Sequence, residues 1–170
     1  MPNDSLYETD FYAWATRQAA LLRAGRLDAA DIEHIAEEID SMGRSEKREL
    51  VSRLTVVLLH LLKWQYQPAL RGNSWRLSIA NARDQLADHM QDNLSLKARL
   101  PEAMASAYRY ARREAAAESG LPETTFPAEC PLVLRPSRER SLLALTYGPV
   151  ALQQAPVHVA EVLLAHGVPV

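Results

Sequence analysis

Apolar residues along this chain recur at intervals of three and four, with no sustained alternation. That spacing predicts helix nearly throughout. The first helix is expected from about Asp10 to Ala24. Phe11, Trp14, Leu21 and Leu22 share one of its faces at roughly 100° per residue, and Gly25 ends it. A second helix is expected from Asp28, a good N-cap, to Gly43. Its apolar stripe is Ile32, Ile35, Ala36, Ile39 and Met42. His34, Glu37 and Ser41 lie opposite, on the side expected to face water. Glu33 and Asp40 flank one edge, Asp31 and Glu38 the other.

The third helix is expected after Ser45, with Glu46 in a first turn whose dipole favours an acid. It runs to about Tyr66, and Pro68 stops it. Leu50, Val51, Leu54, Val57, Leu58, Leu61, Leu62 and Trp64 make it apolar almost all round, which marks it as the central helix. A fourth is expected from Asn73 or Ser74 to about Met90, burying Trp75, Ile79, Ala82, Leu86 and Met90. A fifth opens at Pro101, a common first helical residue. It reaches Gly120, with Met104, Tyr108, Ala111 and Ala115 in its stripe.

Short connections between such helices imply antiparallel neighbours. The expected fold is therefore all-α, an up-down bundle of four or five helices, with the apolar helix at about 45–66 in the centre. After Pro131 the texture becomes apolar, Pro-punctuated and poor in acids. Two short helices are expected there, about Ser137 to Tyr147 and Val157 to His166. They are too short to be stable alone. The domain reading is a bundle over 1–131 and an extension over 132–170, packed on the bundle or on a partner.

Composition narrows the function more than it names one. The 170 residues are 48% apolar and 24% charged, and the net charge is −2. That length supports one real core, and the charge gives no footprint for nucleic acid or an anionic membrane. The start "MPNDSLYETD" has neither the basic residues nor the apolar stretch of a signal peptide. The longest apolar run, "VVLLHLLKW", is about half what a bilayer span needs. The single Cys130 excludes an internal disulfide. The expected location is the cytoplasm.

Candidate chemistry centres on His60, which sits inside the apolar third helix. His60 and His89, on adjacent helices, are candidate metal ligands, with Glu114 and Glu118 the acids best placed to join them. The alternative for each is a core histidine satisfied by one carboxylate or carbonyl. Arg53 and His60, with six residues between them, and Arg83 and His89, with five, are spaced in a way similar to all-helical ribonucleases of the HEPN class. There an Arg stabilises phosphate charge and a His acts as acid or base across a dimer. Leu54 and Asp84 stand where that class has a polar residue. The segment "HLLKWQYQPALRGNSWR" interleaves Lys63, Arg71 and Arg76 with Trp64, Tyr66 and Trp75. Exposed, it is a partner surface. Buried, it is how two helices meet, with Arg forks on loop carbonyls. His34 and Glu37 read as a solvated face, and their order is the reverse of the Glu-x-x-His of di-metal bundles. Cys130 has no His nearby and reads as an inert thiol. No phosphate loop, nucleophile elbow or His-Glu-x-x-His occurs.

The stretches "LYETDFYAW", "AEEIDSMGRSEKRELVSRL", "LLHLLKWQYQPALRGNSWRLSI" and "FPAECP" together resemble an uncharacterised bacterial family, domain-of-unknown-function family number twenty-nine. The resemblance covers about Leu6 to Pro131 and implies an all-helical domain with no established activity to carry over. Members usually finish soon after the "ECP" motif. The tail from about Leu132 departs from that pattern, so His158 and His166 carry little weight.

The leading expectation is a non-catalytic protein-interaction module, with a protein partner or a homodimer and no cofactor. The alternative is an enzyme using the His60 region. It is either a metal-dependent hydrolase through His60 and His89 or a metal-independent ribonuclease through Arg53 and His60.

Overall fold

Among the described residues five α-helices follow one another: α1 Asn3–Thr9, α2 Phe11–Arg23, α3 Ile32–Tyr66, α4 Asn73–Asp92 and α5 Leu100–Ser119. A short antiparallel hairpin comes after them, β1 Leu132–Arg135 with β2 Ala144–Tyr147. The structure, a computed structural model, describes residues 3–135 and 144–147. The fold is all-α, as the periodicity predicts. The chain divides into two compact units, Met1–Glu46 and Lys47–Val170.

In the first unit, α2 keeps its expected bounds for the expected reasons. The Asp10 carboxylate accepts the Ala13 N–H at 3.0 Å, the usual N-cap bond. Gly25 takes a left-handed φ of 68° and donates to the Leu22 carbonyl, closing the last turn. α1 was not expected. The next helix starts later than expected, at Ile32 rather than Asp28. Asp31 is the residue that caps it, accepting the backbone N–H of His34, while exposed Asp28 pairs with Arg26 instead.

The break expected at Gly43 does not occur, and the second and third expected helices are one helix of 35 residues. A glycine stops a helix by turning left-handed, and only Gly25 and Gly120 have positive φ among the described residues. Inside a helix a glycine costs only about 0.5–1 kcal/mol relative to alanine. Its neighbours Met42, Arg44, Glu46, Lys47 and Arg48 are all good helix formers, which offsets that cost.

In the second unit, residues 47–66 of α3 supply the centre of the core, as expected. Leu50, Leu54, Val57, Leu58 and Leu62 are fully buried. They pack in one cluster with Ala82, Leu86 and Met90 of α4 and with Tyr108 of α5. α5 contributes Ala103, Ala107, Ala111 and Ala115 at a strict spacing of four. This row of small side chains is the part of α5 that faces the core. Gly120 ends α5 in the left-handed conformation, φ 71°, donating to the Ala116 carbonyl. Phe126 then folds back and buries completely in the same cluster.

The short helix expected over Ser137 to Tyr147 is not what forms at its end. Ala144–Tyr147 is a strand, paired from Leu132↔Tyr147 to Arg135↔Ala144. A short segment is not a stable helix alone, and pairing with β1 satisfies its backbone groups instead. Residues 136–143 and the helix expected over Val157 to His166, with His158, lie outside the described residues.

Candidate functional site

Asp31 organises the first unit. Its carboxylate accepts the indole N–H of buried Trp14 at 3.1 Å and contacts His34 Nδ1 at 2.8 Å. Its backbone N–H donates to the side-chain oxygen of buried Gln18 at 2.9 Å. Burial pushes the Asp31 carboxyl up. The bonds from His34 and Trp14 outweigh it and hold the group below the ordinary carboxylate range. Tyr7 of α1 stacks on the His34 ring with centroids 4.1 Å apart and donates its phenol to Glu38 Oε1 at 2.6 Å. That bond, with burial and the charges of Glu38 and Glu37, pushes the phenol up to about 12. Trp14 meets Tyr7 edge-on at 4.9 Å.

This clamp corrects the expected orientation of residues 32–42. His34 and Glu38 face α1 and α2, and only 26% of the His34 side chain is exposed. Ile32, Ile39 and Met42, expected to be core, are 50%, 62% and 66% exposed. They sit roughly a quarter turn around the helix from the clamp, within an arc of about 80°. Glu33, Glu37 and Asp40 are also exposed, with Glu37 opposite that stripe and Glu33 and Asp40 about 80° or more round the helix from it. The residues missed from sequence are Tyr7, Trp14 and Gln18. Trp14 was assigned to an apolar face with no polar partner.

In the second unit, His60 is half-buried, and its Nδ1 is buried with no hydrogen-bond partner. Burial pushes the imidazole down, Lys63 adds to this, and Glu118 opposes it. Lys63 pairs with Glu118 at 2.5 Å and lies 5.1 Å over the Trp75 ring. So the structure brings Glu118 near His60, while Glu114 is exposed. His89 is buried, and its backbone carbonyl accepts from Asn93. Among the described residues no group of three or more His, Cys, Asp or Glu is placed to hold a metal ion. Arg53 is engaged within the chain, 2.9 Å from Glu49 and 3.3 Å from Gln85.

The aromatic–basic segment closes the end of α3. Arg71 Nε donates to the Trp64 carbonyl at 2.6 Å, and its guanidinium lies 5.5 Å from the Trp64 ring centroid. A second bond reaches the Gln65 carbonyl at 3.5 Å. These are the carbonyls a helix end leaves unsatisfied. Tyr66 meets Phe126 edge-on at 4.9 Å, and burial raises its phenol. Trp75 is half-buried and Arg76 exposed.

A cleft of about 870 Å³ opens beside α5, lined in part by Leu100, Met104, Tyr108, Arg109, Cys130 and Leu132. Burial raises the Cys130 thiol, and a contact with the Leu132 carbonyl only partly opposes this. Both the burial and the raised value favour the protonated thiol.

The family model for the domain of unknown function DUF29 matches residues 6–140, and the chain belongs to that family. The match extends past Pro131 and takes in β1. No curated protein and no solved structure matches the chain. The family assigns no activity, so the functional reading rests on the geometry of these residues.

Proposed function

We propose that this chain is a non-catalytic protein-interaction module, working in the cytoplasm, that docks a protein partner along residues 32–42 of α3. One observation carries the reading: Ile32, Ile39 and Met42 share a stripe and lie open. In the first unit Trp14 is the one buried apolar side chain among the described residues. Phe11, Tyr12, Leu22 and Leu27 of the same unit are exposed as well. A folded chain gains by covering a contiguous apolar face, and such faces mark interaction sites. The stripe follows the spacing by which a helix packs in a partner's groove. No helix of the described residues is long and apolar enough to cross a membrane.

A photo-crosslinking residue at position 39 tests this in native lysate, with position 33 as the control on the far side of the helix. The expected result is one discrete adduct from position 39, lost when Met42→Glu is added. Equal labelling from both positions, or none from position 39, overturns the reading.

A further inference from the structure

We infer that residues 157–166 of this chain's own C-terminal extension dock in the cleft beside α5, over Leu100, Met104 and Cys130. Of the two covers expected for the extension, the bundle and a partner, this selects the bundle. The cleft, about 870 Å³, is an open continuation of the core. Tyr108 and Leu132 belong to the buried cluster, and Leu100, Met104 and Cys130 pack against it while only partly buried themselves. An apolar concavity of this size gains by being filled. The strand register delivers one part of the chain to it. Leu132 lines the cleft and is the partner of Tyr147, the final residue of β2. Facing residues of antiparallel strands have Cα atoms about 4.5–5.5 Å apart. The chain therefore leaves β2 beside one wall of the cleft.

The sequence after Tyr147 suits that place. Residues 148–170 carry Glu161 as their one acidic or basic side chain apart from histidine. At about 100° per residue, Val159, Val162 and Leu163 fall on one face, with Glu161 opposite. Such a face calls for a cover, because a helix this short gains its stability from packing. Nine residues separate Tyr147 from Val157. Nine extended residues span up to about 30 Å, enough to turn back into a cleft whose wall stands beside the end of β2. The tether also lowers the affinity required. A segment held by a short connection meets its site at an effective concentration of roughly millimolar, so a contact too weak to hold a free peptide suffices. The family match stops at residue 140. The walls of the cleft lie within the matched residues, and their cover lies beyond them.

Cys130 is the chain's one cysteine and lines the cleft, so its alkylation rate on the full chain reports the cover. The double variant Val159→Asp, Leu163→Asp should speed iodoacetamide labelling of Cys130 roughly tenfold or more, with helical dichroism unchanged. Glu161→Gln, on the opposite face, should keep the parent rate. Equal rates in the parent and the double variant overturn the inference, and so does equal acceleration by Glu161→Gln. Mild oxidation of single variants gives a second, independent reading. At least one of Val159→Cys, Val162→Cys and Leu163→Cys should yield a monomer whose introduced thiol is bonded to Cys130, and Glu161→Cys should not. Free thiols in all three overturn the inference. A disulfide-linked dimer at low micromolar protein makes the occupant the extension of a second copy and overturns it too. Should the double variant lose helical dichroism, the oxidation result decides alone.

Discussion

Tyr7 lies flat on His34, ring centroids 4.1 Å apart, and this contact fixes which side of α3 is covered in the first unit. The phenol is held by Glu38 and pushed up to about 12. The sign follows from linkage. A tyrosine whose folded value exceeds its unfolded 10.0 contributes fully below that value. The contribution is lost as pH rises from there through about 12. Tyr7→Phe should therefore remove one late-titrating phenol from the absorbance titration. It should also speed amide exchange in α1. An unchanged titration would mean that Tyr7 does not bond Glu38 in solution.

Asp31 is the residue on which that unit depends. Asp31→Ala leaves the buried Trp14 indole without an acceptor and His34 without its carboxylate. The expected cost is about 1–3 kcal/mol, read as faster amide exchange across α2. Because the folded Asp31 carboxyl lies below its ordinary value, its contribution is present above the unfolded value. It is lost as pH falls through the folded one. Acid should loosen the first unit in the parent chain, and Asp31→Asn should blunt that response.

Arg71 stabilises the end of α3 through its fork rather than its charge. Arg71→Ala removes the bond to the Trp64 carbonyl and the stacking on its ring, an expected loss of about 1–2 kcal/mol in urea unfolding. Arg71→Lys should recover little of it, since an ammonium does not reproduce the planar fork. Full recovery by Lys would show that charge alone matters there.

Helix ends decided by one residue's stereochemistry were legible in the sequence. Asp10, Gly25, Pro68 and Gly120 act where expected. Gly43 misled, because glycine permits a left-handed stop without requiring one, and here its φ stays negative. Periodicity correctly grouped Ile32, Ile39 and Met42 on one face, but it says nothing about whether that face is covered. That was decided by contacts 17 to 31 residues apart in sequence, Trp14 to Asp31 and Tyr7 to Glu38. Polar pairs of that kind leave no periodic trace. The α4 stripe was legible at Ala82, Leu86 and Met90 and the α5 stripe at Tyr108, Ala111 and Ala115, whereas Trp75, Ile79 and Met104 are only half-buried, and the buried Ala103 and Ala107 carry too little apolar surface to stand out in the pattern. Glu118 acts on the charge of His60, and Glu49 and Gln85 engage Arg53, contacts that no spacing in the sequence indicates.

His60 offers a pH test of its environment. Burial and Lys63 hold its imidazole below the ordinary histidine value. A depressed folded value means that its contribution is present above the unfolded value and is lost as pH falls through the folded one. Urea midpoints should therefore drop as pH falls below the ordinary histidine value of 6.5, and His60→Gln should flatten part of that drop. A metal bound at His60 would instead raise the midpoint on zinc addition, in the parent and not in His60→Gln.

Gly43→Ala separates a continuous α3 from a helix broken in two. Gly43 has a negative φ, and nothing lies within 4 Å of where its Cβ would be. Alanine there loses less conformational freedom on folding and clashes with nothing. The expected gain is about 0.5–1 kcal/mol, read as a higher urea midpoint with unchanged slope. A left-handed glycine at a helix stop gives the opposite result, because alanine would pay about 1–2 kcal/mol for that conformation. The sign of the change thus reports whether the stripe of Ile32, Ile39 and Met42 sits on a helix that runs unbroken to Tyr66.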